Sequence, residues 1–528
     1  MVEHSFREEV LFDLDEDMPL VDCTRDGEHV FWLQVYDGGN AASIVWDGVA
    51  GPQFDDFVPF DHSLVVFSPD KHHVAWIGMR GGTFVVVVDN SAQGEWENVD
   101  TDVLPAVSNS GRIAWIATHG TRRVILDGSP FTNWEAAGAL AFSVDGDHFA
   151  FVGRAGPKWR VVVDAVSGPG FDQVGSGTRG AGPQTVVFSR DGTRFAYCAK
   201  RGDRWHVVVD GEVGPAHDGL YGLPIFSPDG KHLVYQAVVG DKACVVVDGS
   251  AEDLHANIGR PVFSPDGTRL MYMVKDEGAS MIVDGERGPE FDDLWFQADT
   301  AEIGYGFSPD SRHFGYLACE GKRFLHRGKW FEVVDGEKGP QFDDVGPWFG
   351  ADKAGRAMAA EPRFSPDGTQ FAFPARVGKQ WSMVVNGVPG EGFQLVGYAR
   401  FSATGRLGFF AKLDKKRFVY VLDGTPGPVI TDTYMFDDQP FVFSPDGAHL
   451  VYGGEIEGAV HPVVDGFLGP AIPVSFPIFR DDGSIAFIGL REPDGAQQTR
   501  QICRVTYAAH SSQPFASSPQ VPRESADR

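Results

Sequence analysis

Short apolar stretches alternate with tight polar turns along almost the whole chain. In the clearest copy, residues 223–249 read LPIFSPDGKHLVYQAVVGDKACVVVDG, where three apolar runs are separated by turn residues and the last run ends in Asp-Gly. Proline presets φ, aspartate accepts backbone hydrogen bonds, and glycine adopts the left-handed conformation without strain, so Ser-Pro-Asp-Gly and Asp-Gly both predict hairpin turns. The runs between them are rich in β-branched residues and predict strands. The pattern therefore predicts an all-β module.

This module is repeated through the chain. Its FSPDG-type turn, intact or altered, occurs twelve times at an average spacing of about 41 residues. One four-stranded propeller blade takes about 40–45 residues, so the spacing predicts one blade per repeat. The turns begin at Cys23, Phe67, Val107, Phe142, Phe188, Phe226, Phe263, Phe307, Phe364, Phe401, Phe443 and Phe479.

Two further sequence motifs recur at a constant place relative to the FSPDG turn of their repeat. An apolar run that ends in Asp-Gly or a close variant of it follows most turns, as at Asp248-Gly249. A GPxFD motif then follows in several repeats and predicts the outer strand of the blade. It occurs at residues 51–55, 168–172, 288–292 and 339–343.

The FSPDG turn, the FAY or LVY type of strand after it and the VVVDG strand together resemble the repeat of TolB-like propellers, which are relatives of the WD-repeat blade. The resemblance covers residues 23 to about 507. It implies a β-propeller fold and leaves the function open, because such propellers act as protein-binding platforms, periplasmic partners, gating domains of serine peptidases and occasionally polysaccharide lyases.

We expect about twelve four-stranded blades, most simply arranged as two six-bladed rings, because propellers usually have four to eight blades. The expected division is residues 1–257 for units one to six with an N-terminal closing strand, 258–507 for units seven to twelve, and 508–528 for a disordered tail. One large ring, or rings of seven and five blades, are alternatives. Val10 to Leu14 is expected to complete the last blade, which lacks its own outer strand. The two chain ends would then meet, as one large ring requires.

Composition narrows the range of partners. The 45 basic and 73 acidic residues give a net charge of −28. Such a surface repels nucleic acid and anionic lipid and would attract a basic protein. No apolar run approaches the roughly 18 residues of a membrane span, and the acidic start MVEHSFREEV lacks the features of a secretion signal. A cytoplasmic location without nucleic acid or membrane partners is expected. The five scattered cysteines are expected to be reduced, buried thiols.

Motifs for catalysis and cofactors are not found. The sequence has no G-x-S-x-G, H-E-x-x-H, C-x-x-C or P-loop motif. Gly175 to Gly180 matches G-x-G-x-x-G, but no helix is expected after it. Asp13, Asp15 and Asp17 alternate as in a calcium loop, but the glycine and glutamate of that loop are missing. We therefore predict no catalytic residue, metal or cofactor.

Six of the 16 histidines share one position, two residues after the turn glycine or its replacement. Equivalent positions in different blades lie too far apart to share a metal ion at about 2 Å from each ligand. We expect these side chains to hydrogen-bond their own hairpin or the next blade. The six are His29, His73, His148, His232, His313 and His449, and Arg194, Arg269 and Gln370 stand at the same position in other repeats.

Candidate binding residues lie in the loops that enter the innermost strand of each blade, because these loops are the least repetitive. Tyrosine, tryptophan and arginine are enriched at binding hot spots. Alternatively, the aromatic residues fill the space between blades and the arginines pair with neighbouring carboxylates. The candidates are Tyr221, Arg260, Trp295, Arg363, Tyr398 and Arg400.

These observations favour a non-enzymatic scaffold that binds a protein or peptide on one ring face. The alternative is a carbohydrate-active lyase or hydrolase with its site at a propeller channel mouth, which would need histidine, arginine and carboxylate side chains that converge there. A third possibility is a structural module of a larger assembly, which would expose one broad apolar face.

Overall fold

The computed structural model describes most of the chain, and its regular secondary structure is entirely β-strand in the part it describes. Strand β1 (Glu3–Leu14) lies at the N-terminus and pairs with the last strand of the chain. The described residues are 3–14, 21–23, 29–36, 41–58, 65–100, 103–119, 121–175, 185–297, 302–321, 328–346, 362–434, 439–471, 477–480, 482–491 and 500–510.

Twelve small antiparallel sheets follow one another along the chain, and each forms one blade of four strands. In many blades the first strand consists of two short pieces that both pair with the second strand. Blade one contains β2 (Val21–Cys23), β3 (Val30–Tyr36), β4 (Ala41–Trp46) and β5 (Val49–Ala50); blade two contains β6 (Asp56–Phe57), β7 (Val66–Phe67), β8 (Val74–Arg80), β9 (Thr83–Val88) and β10 (Ser91–Trp96); blade three contains β11 (Asn98–Val99), β12 (Ala106–Val107), β13 (Ile113–His119), β14 (Thr121–Leu126) and β15 (Ser129–Asn133); blade four contains β16 (Ala136–Phe142), β17 (Phe149–Ala155), β18 (Lys158–Val163) and β19 (Val166–Ser167).

The middle four blades have the same strand order as the first four. In blade eight, a two-stranded ribbon of β35 (Phe296–Gln297) and β36 (Glu302–Ile303) is inserted between the two pieces of the first strand. Blade five contains β20 (Gln173–Val174), β21 (Val186–Phe188), β22 (Phe195–Arg201), β23 (Arg204–Val209) and β24 (Glu212–Val213); blade six contains β25 (Gly219–Phe226), β26 (Leu233–Val239), β27 (Lys242–Val247) and β28 (Ser250–Ala251); blade seven contains β29 (Asn257–Ile258), β30 (Val262–Phe263), β31 (Leu270–Lys275), β32 (Ala279–Val283) and β33 (Glu286–Phe291); blade eight contains β34 (Asp293–Leu294), β37 (Tyr305–Phe307), β38 (Phe314–Glu320), β39 (Lys329–Val334) and β40 (Glu337–Phe342).

The last four blades differ from the others only at the end, where blade twelve takes its outer strand from the N-terminus. Blade nine contains β41 (Asp344–Val345), β42 (Arg363–Phe364), β43 (Phe371–Val377), β44 (Gln380–Val385) and β45 (Val388–Phe393); blade ten contains β46 (Leu395–Phe401), β47 (Leu407–Lys412), β48 (Phe418–Leu422) and β49 (Thr425–Pro426); blade eleven contains β50 (Asp432–Tyr434), β51 (Val442–Phe443), β52 (Leu450–Ile456), β53 (Ala459–Val464) and β54 (Phe467–Leu468); blade twelve contains β55 (Ile478–Phe479), β56 (Ile485–Arg491), β57 (Arg500–His510) and β1.

The Asp-Gly turns join the third and fourth strands as predicted. In blade six, Asp248 and Gly249 both have positive φ, 49° and 83°. Two successive positive φ values define a type I′ turn, whose twist matches that of the flanking strands. The GPxFD segments lie on the fourth strand or directly after it, as in β33 and β40, so the prediction of an outer strand is confirmed.

The core consists of apolar clusters between neighbouring blades. The cluster between blades six and seven contains Val234, Val245, Ile258, Tyr272 and Ile282. It is one of twelve such clusters, each formed by two successive sheets. Each sheet therefore buries both of its faces, which a single blade could not do alone.

The cluster between blades twelve and one closes the ring. Trp32 of blade one packs with Ile488 and Ile502 of blade twelve, and Leu11 of β1 joins them. The fold is thus one twelve-bladed propeller, which was the large-ring alternative, and the preferred arrangement of two six-bladed rings was wrong. Blades six and seven pack as any other pair does. The predicted division of the chain into two units, residues 1–257 and 258–507, stays a prediction.

The closing strand at the N-terminus is confirmed. β1 pairs antiparallel with β57 along its length, with a bulge between Val10 and Phe12. Phe6 packs on the cluster between blades eleven and twelve, next to Tyr507, with the ring centroids 5.2 Å apart. Leu11 packs on the cluster between blades twelve and one. One strand therefore supports the two interfaces that join the ends of the chain.

Deleting residues 3–14 should lower the thermal unfolding midpoint strongly. The deletion exposes the edge of β57 and removes Phe6 and Leu11 from two inter-blade clusters, and each buried side chain of this size contributes about 1.5–3 kcal/mol. Differential scanning calorimetry measures the effect. The control is Val10→Ser, at a residue that is 43% exposed, which should leave the midpoint almost unchanged. An unchanged midpoint after the deletion would contradict closure of the ring by β1.

Candidate functional site

The antiparallel order of strands gives the ring two different faces. The turns between strands one and two and between strands three and four lie at the same end of every blade, because successive turns of a meander alternate between ends. We call this side the turn face. The opposite side, which carries the connections between blades and the turns between strands two and three, is called the loop face.

The FSPDG turns build a hydrogen-bond network on the turn face. In blade six, Ser227 Oγ donates to Asp229 Oδ1 at 2.5 Å and accepts the N–H of His232 at 2.9 Å. The serine hydroxyl bond is the main reason that the pKa of Asp229 lies far below its usual range, and the equivalent bond from Ser264 holds the pKa of Asp266 at about 2. These carboxylates therefore stay ionised at every physiological pH.

The same turns touch the next blade. A Cβ on Gly192 would lie 2.6 Å from the carboxylate of Asp145 in the preceding blade, and one on Gly267 would lie 2.7 Å from that of Asp229. Both glycines also have positive φ, 72° and 79°. Two constraints therefore favour glycine at this position: the left-handed backbone conformation and the close approach of the neighbouring carboxylate.

The aspartate of the Asp-Gly turn joins the two turns within most blades. Asp248 accepts the N–H of Leu233 with one oxygen at 2.9 Å and bonds the Nδ1 of His232 with the other at 2.7 Å. The other five histidines at this position make the same bond to their own turn aspartate, so their predicted role is confirmed. In blade eleven the bond to Asp465 raises the pKa of His449.

Arginine at the histidine position also reaches the next blade. Arg194 bonds Asp210 through Nε, while its Nη1 donates to the carbonyls of Gly230 and Lys231 in blade six. Its guanidinium lies 5.2 Å from the ring centroid of Phe226 in the same blade. These arginines therefore connect neighbouring blades across the turn face.

Replacing Asp248 with alanine should destabilise the protein by about 1–3 kcal/mol, because the N–H of Leu233 loses its acceptor. Asp248→Asn is the matched variant, since blade nine uses Asn386, whose Oδ1 accepts the N–H of Phe371 at 2.8 Å. We expect the asparagine variant to unfold within a few degrees of the native protein in thermal denaturation. Equal losses for both variants would show that charge, not the hydrogen bond, is decisive.

Clefts open between blades near the turn face. Three of them occupy equivalent places, with cavity volumes of about 250 Å³ between blades five and six, 370 Å³ between blades seven and eight, and 290 Å³ between blades nine and ten. Each is walled by the third strand of one blade and by the second strand of the next. Val207, Met281 and Met383 occupy the same wall position in the three clefts.

Glu332 occupies this wall position in blade eight, where its side chain lies against blade nine. It is 6% exposed, and its Oε2 has no hydrogen-bond partner among the residues that the structure describes. A Cβ added to Gly387 of blade nine would lie only 2.8 Å from its Oε1. Burial raises the pKa of Glu332 from 4.5 to about 7. A titratable carboxyl group is therefore buried in the interface between blades eight and nine.

Glu332 should make stability depend on pH. Its pKa is higher in the folded state than in the unfolded chain, so stability falls as pH rises from about 4.5 through about 7. Glu332→Met, which copies blades seven and nine, should remove about 1–2 kcal/mol of this fall, as measured by urea unfolding at pH 5 and pH 8. Glu337→Gln is the control at an exposed residue of the same blade and should keep the native slope. An unaltered slope in Glu332→Met would contradict the assignment.

The structure distributes the six predicted binding residues along blades six to ten. Tyr221, Arg260 and Arg363 are exposed, and Arg400 is half-buried. Trp295 is 5% exposed and packs in the cluster between blades eight and nine, as the packing alternative predicted, and its role in binding stays a prediction.

Tyr398 combines partial burial with an unusual backbone. Its ring packs on the cluster between blades ten and eleven, and its φ is 54°. Left-handed φ is an outlier for a bulky residue. Ala139, with φ 52°, and Gly222, with φ 67°, lie beside equivalent bulges in the first strands of blades four and six. The bulge, which recurs in these blades, accounts for the left-handed backbone of Tyr398, and its role as a binding residue stays a prediction.

Other predicted features fall in part outside the described residues. Asp15 and Asp17 of the calcium-like segment and most of Gly175 to Gly180 lie there. Within the described ranges, no group of three His, Cys, Asp or Glu side chains is placed to hold a metal ion. The four cysteines whose side chains are described are buried thiols, as predicted; they are Cys198, Cys244, Cys319 and Cys503. No helix among the described residues is long and apolar enough to cross a membrane.

Sequence reasoning missed the clefts and Glu332. The clefts arise where two separate blades meet, so no local pattern marks them. Glu332 did carry a signal, since the three residues before Asp335-Gly336 are Glu-Val-Val, whereas those before Asp248-Gly249 are all valine.

No protein-family model matches the chain, and no curated protein matches it. The solved structure of a eukaryotic initiation factor is similar at 12% identity over 74% of this chain and 92% of the other, with a TM-score of 0.33. TolB from Acinetobacter baumannii is 14% identical over 54% and 79%, with a TM-score of 0.24. Hydrazine synthase from Kuenenia stuttgartiensis is 12% identical over 61% and 94%, with a TM-score of 0.22. Likenesses this distant support no statement about function or family.

Proposed function

We propose that this protein is a non-enzymatic scaffold of the TolB-like propeller type, which binds a basic protein or peptide across the turn face. The observation that carries this proposal is the circle of ionised carboxylates on that face. Hydrogen bonds lower the pKa of the turn aspartate in most blades. These residues are Asp70, Asp145, Asp191, Asp229, Asp266, Asp310, Asp367, Asp446 and Asp482.

A ring of fixed negative charge produces a field that extends beyond its contacts. Charges of one sign on a shared surface add their potentials and speed the approach of an oppositely charged partner. The aspartates themselves are held by the turns and are not free to rearrange. The scaffold would therefore present a rigid, pre-organised surface, and binding would cost little conformational entropy on its side.

Exposed glutamates enlarge the acidic surface along blades five to nine. They lie on or beside the outer strands, close to the turn face, and they can be changed without removing a turn hydrogen bond. These glutamates are Glu212, Glu252, Glu286, Glu337 and Glu391.

Capture of partners from a lysate of the native host tests the proposal. The native chain should retain a stoichiometric partner at about 0.05 M salt and lose it at about 0.5 M, where the screening length is only a few ångströms. A variant with these five glutamates changed to glutamine should retain at least tenfold less of the same partner, as quantified by mass spectrometry.

A variant of the innermost strands is the control for this experiment. Tyr221→Ser and Arg260→Ser together remove exposed side chains from the first strands of blades six and seven without altering the acidic surface. This double variant should retain the partner as the native chain does. Loss of the partner in the double variant and its retention in the glutamine variant would move the binding surface to the innermost strands and overturn the proposal.

A further inference from the structure

The cleft between blades nine and ten differs from its two counterparts at its mouth. Between blades five and six, Arg194 reaches across and donates to the carbonyl of Lys231 at 2.9 Å. Between blades seven and eight, Arg269 does the same to the carbonyl of Arg312 at 3.0 Å. Blade nine has Gln370 at this position, and its side chain makes no hydrogen bond within the described residues. The crossing bond that spans the other two mouths is therefore replaced by a shorter amide.

The walls of this cleft are largely apolar. Met383, Val385 and Phe393 form the side from blade nine, and Leu407 and Phe409 face them from blade ten. The volume of about 290 Å³ is at the lower limit of the roughly 300–1,000 Å³ that is typical of small-molecule sites. The space thus suits one large side chain better than an extended cofactor.

The charged groups at the mouth are acidic. Glu391 is exposed and forms no ion pair in the part of the chain that the structure describes. Asp423 bonds Arg406 Nε at 2.8 Å and the N–H of Leu407 at 2.9 Å, so its charge is partly balanced. A ligand with an apolar group for the walls and a positive charge beside it would complement both features.

We propose that the cleft between blades nine and ten binds one large apolar side chain of a basic peptide segment, with the adjacent positive charge at Glu391. This inference rests on the proposed function, since it names the anchor that a basic partner would use. Full burial of such a side chain contributes about 1.5–3 kcal/mol, which corresponds to about a 10- to 150-fold gain in affinity.

Three short peptides test the specificity of the cleft. We expect acetyl-Gly-Lys-Phe-Lys-Gly-amide to bind in ligand-observed NMR titrations, and the peptide with alanine in place of phenylalanine to bind at least tenfold more weakly. The peptide with both lysines replaced by glutamate should not bind at the same concentrations. Absence of binding by the first peptide, or equal binding by the first two, would overturn the inference.

The repeat supplies a matched pair of variants. Val385→Phe should fill the cleft between blades nine and ten and weaken the phenylalanine peptide at least tenfold. Val209→Phe makes the same change at the equivalent wall position between blades five and six and should leave its binding unaltered. Equal effects of the two substitutions would contradict the location. Glu391→Gln should weaken binding about threefold at low salt and, as a change at an exposed residue, should not disturb folding.

Failure here can be separated from failure of the proposed function. If Val385→Phe retains the host partner fully while the five-glutamine variant loses it, the acidic scaffold stands and the cleft is not its anchor. If the peptide binds as expected but the native chain captures no host partner, the cleft binds its ligand class and the scaffold proposal fails.

Discussion

The packing of each sheet against the next is the interaction on which this fold depends. Alternate residues of one strand serve different interfaces, because successive side chains of a strand point to opposite faces. In β27, Cys244 and Val246 pack toward blade five, whereas Ala243 and Val245 pack toward blade seven. A row of such blades would leave an apolar face exposed at each end. Closure between blades twelve and one removes both faces, and this is why β1 and Trp32 matter to the whole ring.

The turn face shows how one short motif can satisfy local and long-range requirements together. The aspartate of FSPDG accepts hydrogen bonds within its own hairpin and also lies against the turn glycine of the next blade. A substitution in this motif therefore affects two blades. The repetition of the motif therefore has a structural explanation, and the acidity of the turn face follows from the repetition.

Two departures from the repeat lie in blades eight and nine, on either side of the same stretch of the ring. Glu332 places a carboxyl group where blades seven and nine have methionine, and Gln370 replaces the arginine that crosses to the next blade elsewhere. Glu332 leaves a buried carboxylate oxygen without a hydrogen-bond partner among the described residues, and Gln370 lacks the bond by which arginine crosses to the next blade. Departures that cost stability are the expected mark of a functional region in an otherwise consistent design.

Local chemistry determined much of this protein from the sequence alone. Proline, aspartate and glycine fix the turns, valine-rich runs fix the strands, and their spacing fixes the blade, since each of these depends on neighbouring residues. The roles of β1 and of the repeated histidines were also predictable, because a blade without its own outer strand requires one and a polar side chain beside a hairpin turn requires a hydrogen-bond partner. Tertiary structure alone decided the number of rings, which depends on whether Trp32 meets Ile488 from the far end of the chain. Tertiary structure also decided the burial of Trp295 and the existence of the clefts. Both arise where the surfaces of two blades meet, and the sequence of one blade does not determine how well it fits the other.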